Sequence, residues 1–196
     1  MTLPTGTWRR KSGLASWDFQ LPGAYPAAVG AALAALGDFA QVRRVRLTTA
    51  SGGEGARTLQ SADVDVDVEV IVEALEQVPD LEDVEVDLAL LVVAPDNAPN
   101  KLVQSRLDDA TLWITWEGDD GVEERGHPVR LLLSLDVDIY AARSRGDDRD
   151  NRAMAALNGP RLAGFLDRLR AAGAVFFEVD APSYPGAGPT GFDAPR

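Results

Sequence analysis

The residues with the strongest claim to chemistry are Asp136 and Asp138, separated by Val137 near the end of a strongly apolar stretch. On a strand, residues two apart project from one face, which would bring both carboxylates together. Such a pair repels unless a cation or an arginine lies between its members. Mg²⁺ and Ca²⁺ are the ions that carboxylate oxygens of this kind hold. A third acid from Asp63, Asp65, Asp67 or Asp87 would complete a divalent-metal site if its strand were a neighbour. Arg143 and Arg145 follow closely and offer neutralisation without metal. Asp-x-Asp is also common in a chain with 31 acidic residues, so the plainer expectation is a solvated, salt-bridged sheet face.

Other routes to catalysis are thin. His127 is the single histidine, set between Gly126 and Pro128, and there is no cysteine. A histidine-assisted nucleophile or a thiolate metal site is therefore hard to build, and His127 reads as a surface loop residue. The sequence lacks G-x-S-x-G, H-E-x-x-H, a Walker loop and a strand-linked G-x-G-x-x-G. Gly52-Gly53-Glu54-Gly55 is glycine-rich but lacks the Lys-Ser/Thr that completes a phosphate cradle. The balance leans away from an enzyme and assigns no cofactor beyond the Mg²⁺ or Ca²⁺ alternative.

Charge carries more information. The 196 residues hold 31 acids against 19 bases, a net charge of −12. That argues against a nucleic-acid binder, because phosphate contact needs a basic face. It fits solubility at high charge, a cation site, or a basic protein partner. The acids come in runs: Asp63 to Glu69, Glu82 to Asp87, Asp119-Asp120 with Glu123-Glu124, and Asp147-Asp148 with Asp150. Asp119, Asp120, Glu123 and Glu124 are the candidate partner contacts, with Trp113, Trp116 and Tyr140 as candidate anchors at an interface centre. The basic clusters Arg9-Arg10-Lys11 and Arg43-Arg44-Arg46, beside Trp8 and Trp17, would suit an anion, but arginines so placed more often pair with acids on the next strand.

The elements that must position these residues follow from periodicity. Thr5 to Leu21 reads as a strand or bent strand pair. Pro26 opens a helix carrying Val29, Leu33 and Leu36, closed by Gly37 as a left-handed cap. Phe39 to Thr49 is a strand. The Asp63 to Val70 stretch alternates as a strand would, but Val68, Ile71, Val72, Leu75 and Val78 have helical spacing. A helix over 65–78, with its acids at the positive end of the macrodipole, is the favoured reading and a strand the alternative. Asp83 to Val93 is a strand entering the middle of a sheet. Thr111 to Glu117 and Val129 to Tyr140 form an antiparallel hairpin. A last helix carries Leu162, Phe165, Leu166 and Leu169, with Asn158 as N-cap, Pro160 in the first turn and Gly173 at the C-cap. Val175 to Val179 is the final strand.

The order β-α-β-α-β-β-β-α-β predicts one α+β domain over 1–181. Its sheet should be mixed but largely antiparallel, with about three helices mainly on one face. Residues 182–196 carry four prolines and three glycines and read as an irregular strap, with Tyr184 and Phe192 as anchors. Exchange of that strap between copies would give a homo-oligomer. No stretch approaches the ~18 apolar residues of a membrane span, and no apolar run follows Arg9 to Lys11, so the chain is expected in the cytoplasm. The arginine-rich, lysine-poor composition suggests a GC-rich bacterial genome. Together these features favour a non-enzymatic acidic protein engaging a basic protein partner, in a bacterium an immunity or antitoxin-like role. The alternatives are a divalent-metal-dependent enzyme using Asp136 and Asp138, and a structural or assembly subunit.

Overall fold

The structure, a computed structural model, describes residues 9–23, 25–49, 57–60, 68–78, 81–95, 102–116, 129–143, 150–184 and 186–193. In chain order the elements are β1 (Arg10–Leu21), α1 (Tyr25–Ala34), β2 (Ala40–Thr49), β3 (Arg57–Gln60), α2 (Val68–Glu76), β4 (Leu81–Pro95), β5 (Leu102–Trp116), β6 (Val129–Val137), α3 (Arg152–Ala171), β7 (Val175–Asp180), β8 (Ala187–Gly188) and β9 (Gly191–Phe192). The first seven strands form one sheet in the order β3-β2-β4-β5-β6-β1-β7, while β8 and β9 form a separate hairpin. The largely antiparallel sheet expected from the element order is antiparallel at every described pairing.

The strands alternate because one face must leave water and the other need not. On β6, Val129, Leu131, Leu133, Leu135 and Val137 are buried, while Arg130, Leu132, Ser134 and Asp136 are half-buried on the opposite face. Each aliphatic side chain so buried contributes roughly 1.5–3 kcal/mol over an exposed one. Val84, Val86, Leu112, Ile114, Trp17 and Phe19 join the same core, as do Val29 and Leu33 of α1, Ile71 and Leu75 of α2, and Phe165 and Leu169 of α3. The helices thus share one face of the sheet. Tyr25 reaches from α1 to the Ile114 carbonyl on β5, and Phe39 stacks on Phe165 with ring centroids 4.9 Å apart.

Helix α2 settles the ambiguous stretch from Val68 onward in favour of helical periodicity; Asp63 to Asp67 lie outside the described residues. Gly37 has φ 52°, the left-handed conformation expected where α1 stops.

Two expectations are corrected. The last helix begins at Arg152, so Asn158 and Pro160 lie inside it rather than at its start. Proline is costly there because its missing N–H leaves the Ala156 carbonyl without its usual donor. Asn158 is fully buried and bonded to β4, and that anchorage offsets the break. The strap, in turn, is not wholly irregular: the positive-φ residues Gly186 and Gly191 flank a Pro-Thr turn and close the β8–β9 hairpin. Tyr184 is buried and Phe192 half-buried, with the Phe192 ring meeting both Trp17 and Tyr184. The Trp17 indole N–H also donates to the Gly188 carbonyl at 2.9 Å.

Candidate functional site

Asp136 and Asp138 do not face a common opening. Strand β6 ends at Val137, so Asp138 leaves the strand alternation and is only 4% exposed. Its Oδ1 accepts the Arg9 N–H at 2.6 Å, and its own N–H donates to the Arg9 carbonyl. Asp136 Oδ1 accepts the Gly13 N–H at 2.7 Å. Between Arg10 and Ala15 the pairing of β1 with β6 shifts register, and Gly13 lies there at φ 64°. The two carboxylates thus fasten the bulged start of β1. Among the described residues, no group of three or more potential ligands is placed to hold a metal ion.

Nearby Asp109 is buried and takes the Arg10 guanidinium at 2.7 Å. Removal from water pushes its carboxyl above the ordinary range, Arg10 pulls it back down, and Asp136 and Asp108 push it up again. The arginines of the second basic cluster are also paired. Arg44 meets Asp87, Arg46 meets Glu85 and Asp87, and Arg43 meets Asp108 at 3.4 Å. Trp17, named beside them, is wholly in the core.

Of the expected interface anchors, Tyr140 is corrected. It is 1% exposed, with its ring beside Phe39, and no partner can reach it from solvent. Periodicity carries the strand on to Tyr140, but β6 stops three residues earlier and a turn swings the side chain inward. Burial pushes its phenol well above the ordinary range. Trp116 pairs through its backbone with Val129 at the end of β5. Asp119, Asp120, Glu123, Glu124 and His127 lie outside the described residues.

Trp113 remains, and its setting is informative. It is 37% exposed on the sheet face opposite the helices. The register places Arg46, Glu85, Trp113, Leu132, Asp18 and Glu178 in one row across six strands. The adjacent row on that face runs Arg44, Asp87, Thr111, Ser134, Ser16 and Asp180. The face therefore has an aromatic and aliphatic centre, ion pairs on the β2–β4 side and exposed acids on β7. Arg130 covers the buried Asp18 with a two-pronged contact. Glu85 is pushed upward by loss of water, with Arg46 opposing. Val175 and Phe177 are exposed along the β7 edge.

Two positioning residues, Asn151 and Arg168, have no place in the sequence reading, and a third, Asn158, has a different role from the one read there. Asn151 donates to the Asp138 and Ala141 carbonyls at 2.6 and 2.9 Å, holding the turn after β6. Asn158 binds β4, and Arg168 covers the end of α1. A buried asparagine inside an apolar helical stripe was the available signal; the arginine gave none.

No family model, curated protein or solved structure matches the chain. Among the described residues, no helix is long and apolar enough to cross a membrane.

Proposed function

We propose that the chain is a non-enzymatic binding protein that engages a basic protein partner through the sheet face opposite its helices. The carrying observation is Trp113, an exposed tryptophan at the centre of a face with carboxylates on both sides. Tryptophan ringed by polar groups is the composition of an interface centre, where its burial on binding is worth more than that of most residues. The net charge of −12 selects for a basic partner and would steer its approach. An immunity or antitoxin-like role is one form such binding takes. The metal-enzyme alternative draws no support from Asp136 and Asp138, each of which gives its Oδ1 to a backbone N–H of β1 or the residue before it.

The test is affinity capture with the full chain from its native host at low salt, followed by a salt ladder. A basic protein released by salt, and not retained by a folded Trp113→Ser variant, supports the reading. An acidic partner, or one retained equally by the variant, overturns it.

A further inference from the structure

An open cleft of about 390 Å³ lies at the opposite end of β5 from Trp113. Its lining is Asp38, Gln41 and Arg161 together with Leu91 and Val92 of β4 and 104–106 of β5. The cleft exists because β2 pairs with β4 only as far as Ala40 opposite Leu90, whereas β4 and β5 continue together to Pro95 and Leu102. Its volume falls within the ~300–1,000 Å³ usual for small-molecule sites.

Arg161 decides what would fit. One of its terminal nitrogens, Nη1, donates to the Asp38 carbonyl at 2.6 Å and points to the Leu91 carbonyl at 3.4 Å. The side chain is only 20% exposed, so the guanidinium is fixed before any ligand arrives. Nε and Nη2 make no hydrogen bond to a described residue, which leaves the two-donor edge of the fork available. That edge matches the two oxygens of a carboxylate. Arg106, exposed on the rim, forms no ion pair among the described residues, and Gln104 and Ser105 add further donors. The one acid among the described lining residues, Asp38, is answered by Arg168 at 3.2 Å and stands 4.0 Å from Arg161.

We propose that this cleft binds a small organic carboxylate, gripped through Nε and Nη2 of Arg161 with Arg106 as a second cation. The carboxylate belongs to a free acid or to a chain terminus, and the chemistry of the grip is the same for both.

Titration calorimetry of the full chain with succinate, with N-acetyl-alanyl-alanine and with the amide of that dipeptide separates the cases. Saturable one-to-one binding of either carboxylate, with none of the amide, is expected. Tighter succinate marks a free acid and tighter dipeptide a chain terminus. Arg161→Lys keeps the charge but not the fork and should weaken binding at least about tenfold. Arg106→Gln, on the exposed rim, should weaken it about threefold with the melting temperature unchanged. Amide chemical shifts should move at Leu91, Ser105 and Arg106. No saturable binding of either carboxylate, equal binding of the amide, or full affinity in Arg161→Lys overturns the proposal. If Arg161→Lys does not fold, full affinity in Arg106→Gln combined with unmoved shifts at Leu91 and Ser105 overturns it.

Discussion

Asn158, within α3, is hydrogen-bonded to both backbone groups of Val93 on β4. Its Nδ2 donates to the Val93 carbonyl at 2.9 Å, and its Oδ1 accepts the Val93 N–H at 2.8 Å. The amide stands in for the strand that β2 no longer supplies, since Leu91 is the last β4 residue bonded to that side, through the Phe39 carbonyl. The second Nδ2 hydrogen goes to the Met154 carbonyl, so every donor of the side chain is used.

Replacing Asn158 should therefore be expensive. Asn158→Ala strands two backbone groups, each worth roughly 1–3 kcal/mol when buried and unpaired. A loss of about 3 kcal/mol in urea denaturation is expected. Asn158→Asp keeps the acceptor but loses the donors and buries a charge, so it should be no more stable than Asn158→Ala at neutral pH. A loss under about 1 kcal/mol in Asn158→Ala, the level of an ordinary exposed site, would show that Asn158 does not anchor β4.

Gly37 and Arg168 form a second linked pair. Arg168 Nε donates to the Ala35 carbonyl at 2.7 Å, a group that the end of α1 leaves open, and its Nη2 donates to the Leu36 carbonyl at 3.0 Å, which also accepts the Phe39 N–H. A Cβ on Gly37 would lie 2.8 Å from that Nη2. Gly37→Ala should cost about 1–2 kcal/mol from the left-handed backbone and further from displacing the guanidinium. Arg168→Ala should cost about 1–2 kcal/mol. Since Arg168→Ala removes the obstacle, the double variant should lose less than the sum of the singles. Strict additivity would show that the two residues do not meet.

Asp109 gives a pH signature. Its folded-state pKa is raised above the ordinary 3.8, chiefly by loss of water, despite the Arg10 contact. The folded protein thus keeps a proton that the unfolded chain has released. Stability from this group is present below about 3.8, falls as pH climbs to the raised value, and is level above it. Asp109→Asn removes that titration. The variant's stability minus the wild type's should rise across this window and then stay flat. A difference that is constant from pH 3 upward would contradict the assignment.

The β8–β9 hairpin should behave as part of the fold. Phe192 meets Trp17 edge-on at 5.4 Å and Tyr184 at 5.7 Å, and Gly191 lies over Leu162 and Leu166. Phe192 is half-buried, so Phe192→Ala should cost about 2 kcal/mol, below the 3–5 typical of a full core site. Deleting 182–196 should lower the melting temperature further. An unchanged melting temperature on deletion would show that the hairpin only rests on Trp17.

What could be read from the chain and what could not divide along physical lines. The alternation of Leu131, Leu133 and Leu135 and the helical stripe of Ile71, Val72 and Leu75 reflect local periodicity, and both elements formed as that periodicity requires. Asn158 misled because asparagine favours helix starts in isolation, whereas here a long-range bond to Val93 outweighs local preference. Asp138 and Tyr140 lie one and three residues beyond the end of β6, and strand ends are where side-chain direction is least determined by pattern. The pairing of Arg44 with Asp87 was foreseeable in kind, but which acid it meets depends on the β2–β4 register, and no local pattern sets that register. The cleft depends on where β2 stops, which is likewise a property of the assembled sheet.

The charge of the sheet face makes the final prediction kinetic. With a net charge of −12, the chain should attract a basic partner over distances comparable to the ~10 Å screening length at 0.1 M salt. Its association rate should fall steeply as salt rises, while the dissociation rate changes little, because dissociation reports the desolvated centre. Exposed acids and the central tryptophan should then separate. Glu178→Gln with Asp180→Asn, at the β7 edge, should slow association and flatten its salt dependence. Trp113→Ala should leave association nearly unchanged and speed dissociation, at a cost of about 2 kcal/mol or more in affinity. Surface plasmon resonance on the captured partner across a salt series measures both rates for each variant. Should Trp113→Ala dissociate at the wild-type rate, the partner binds elsewhere; should association ignore salt, the acidity serves solubility.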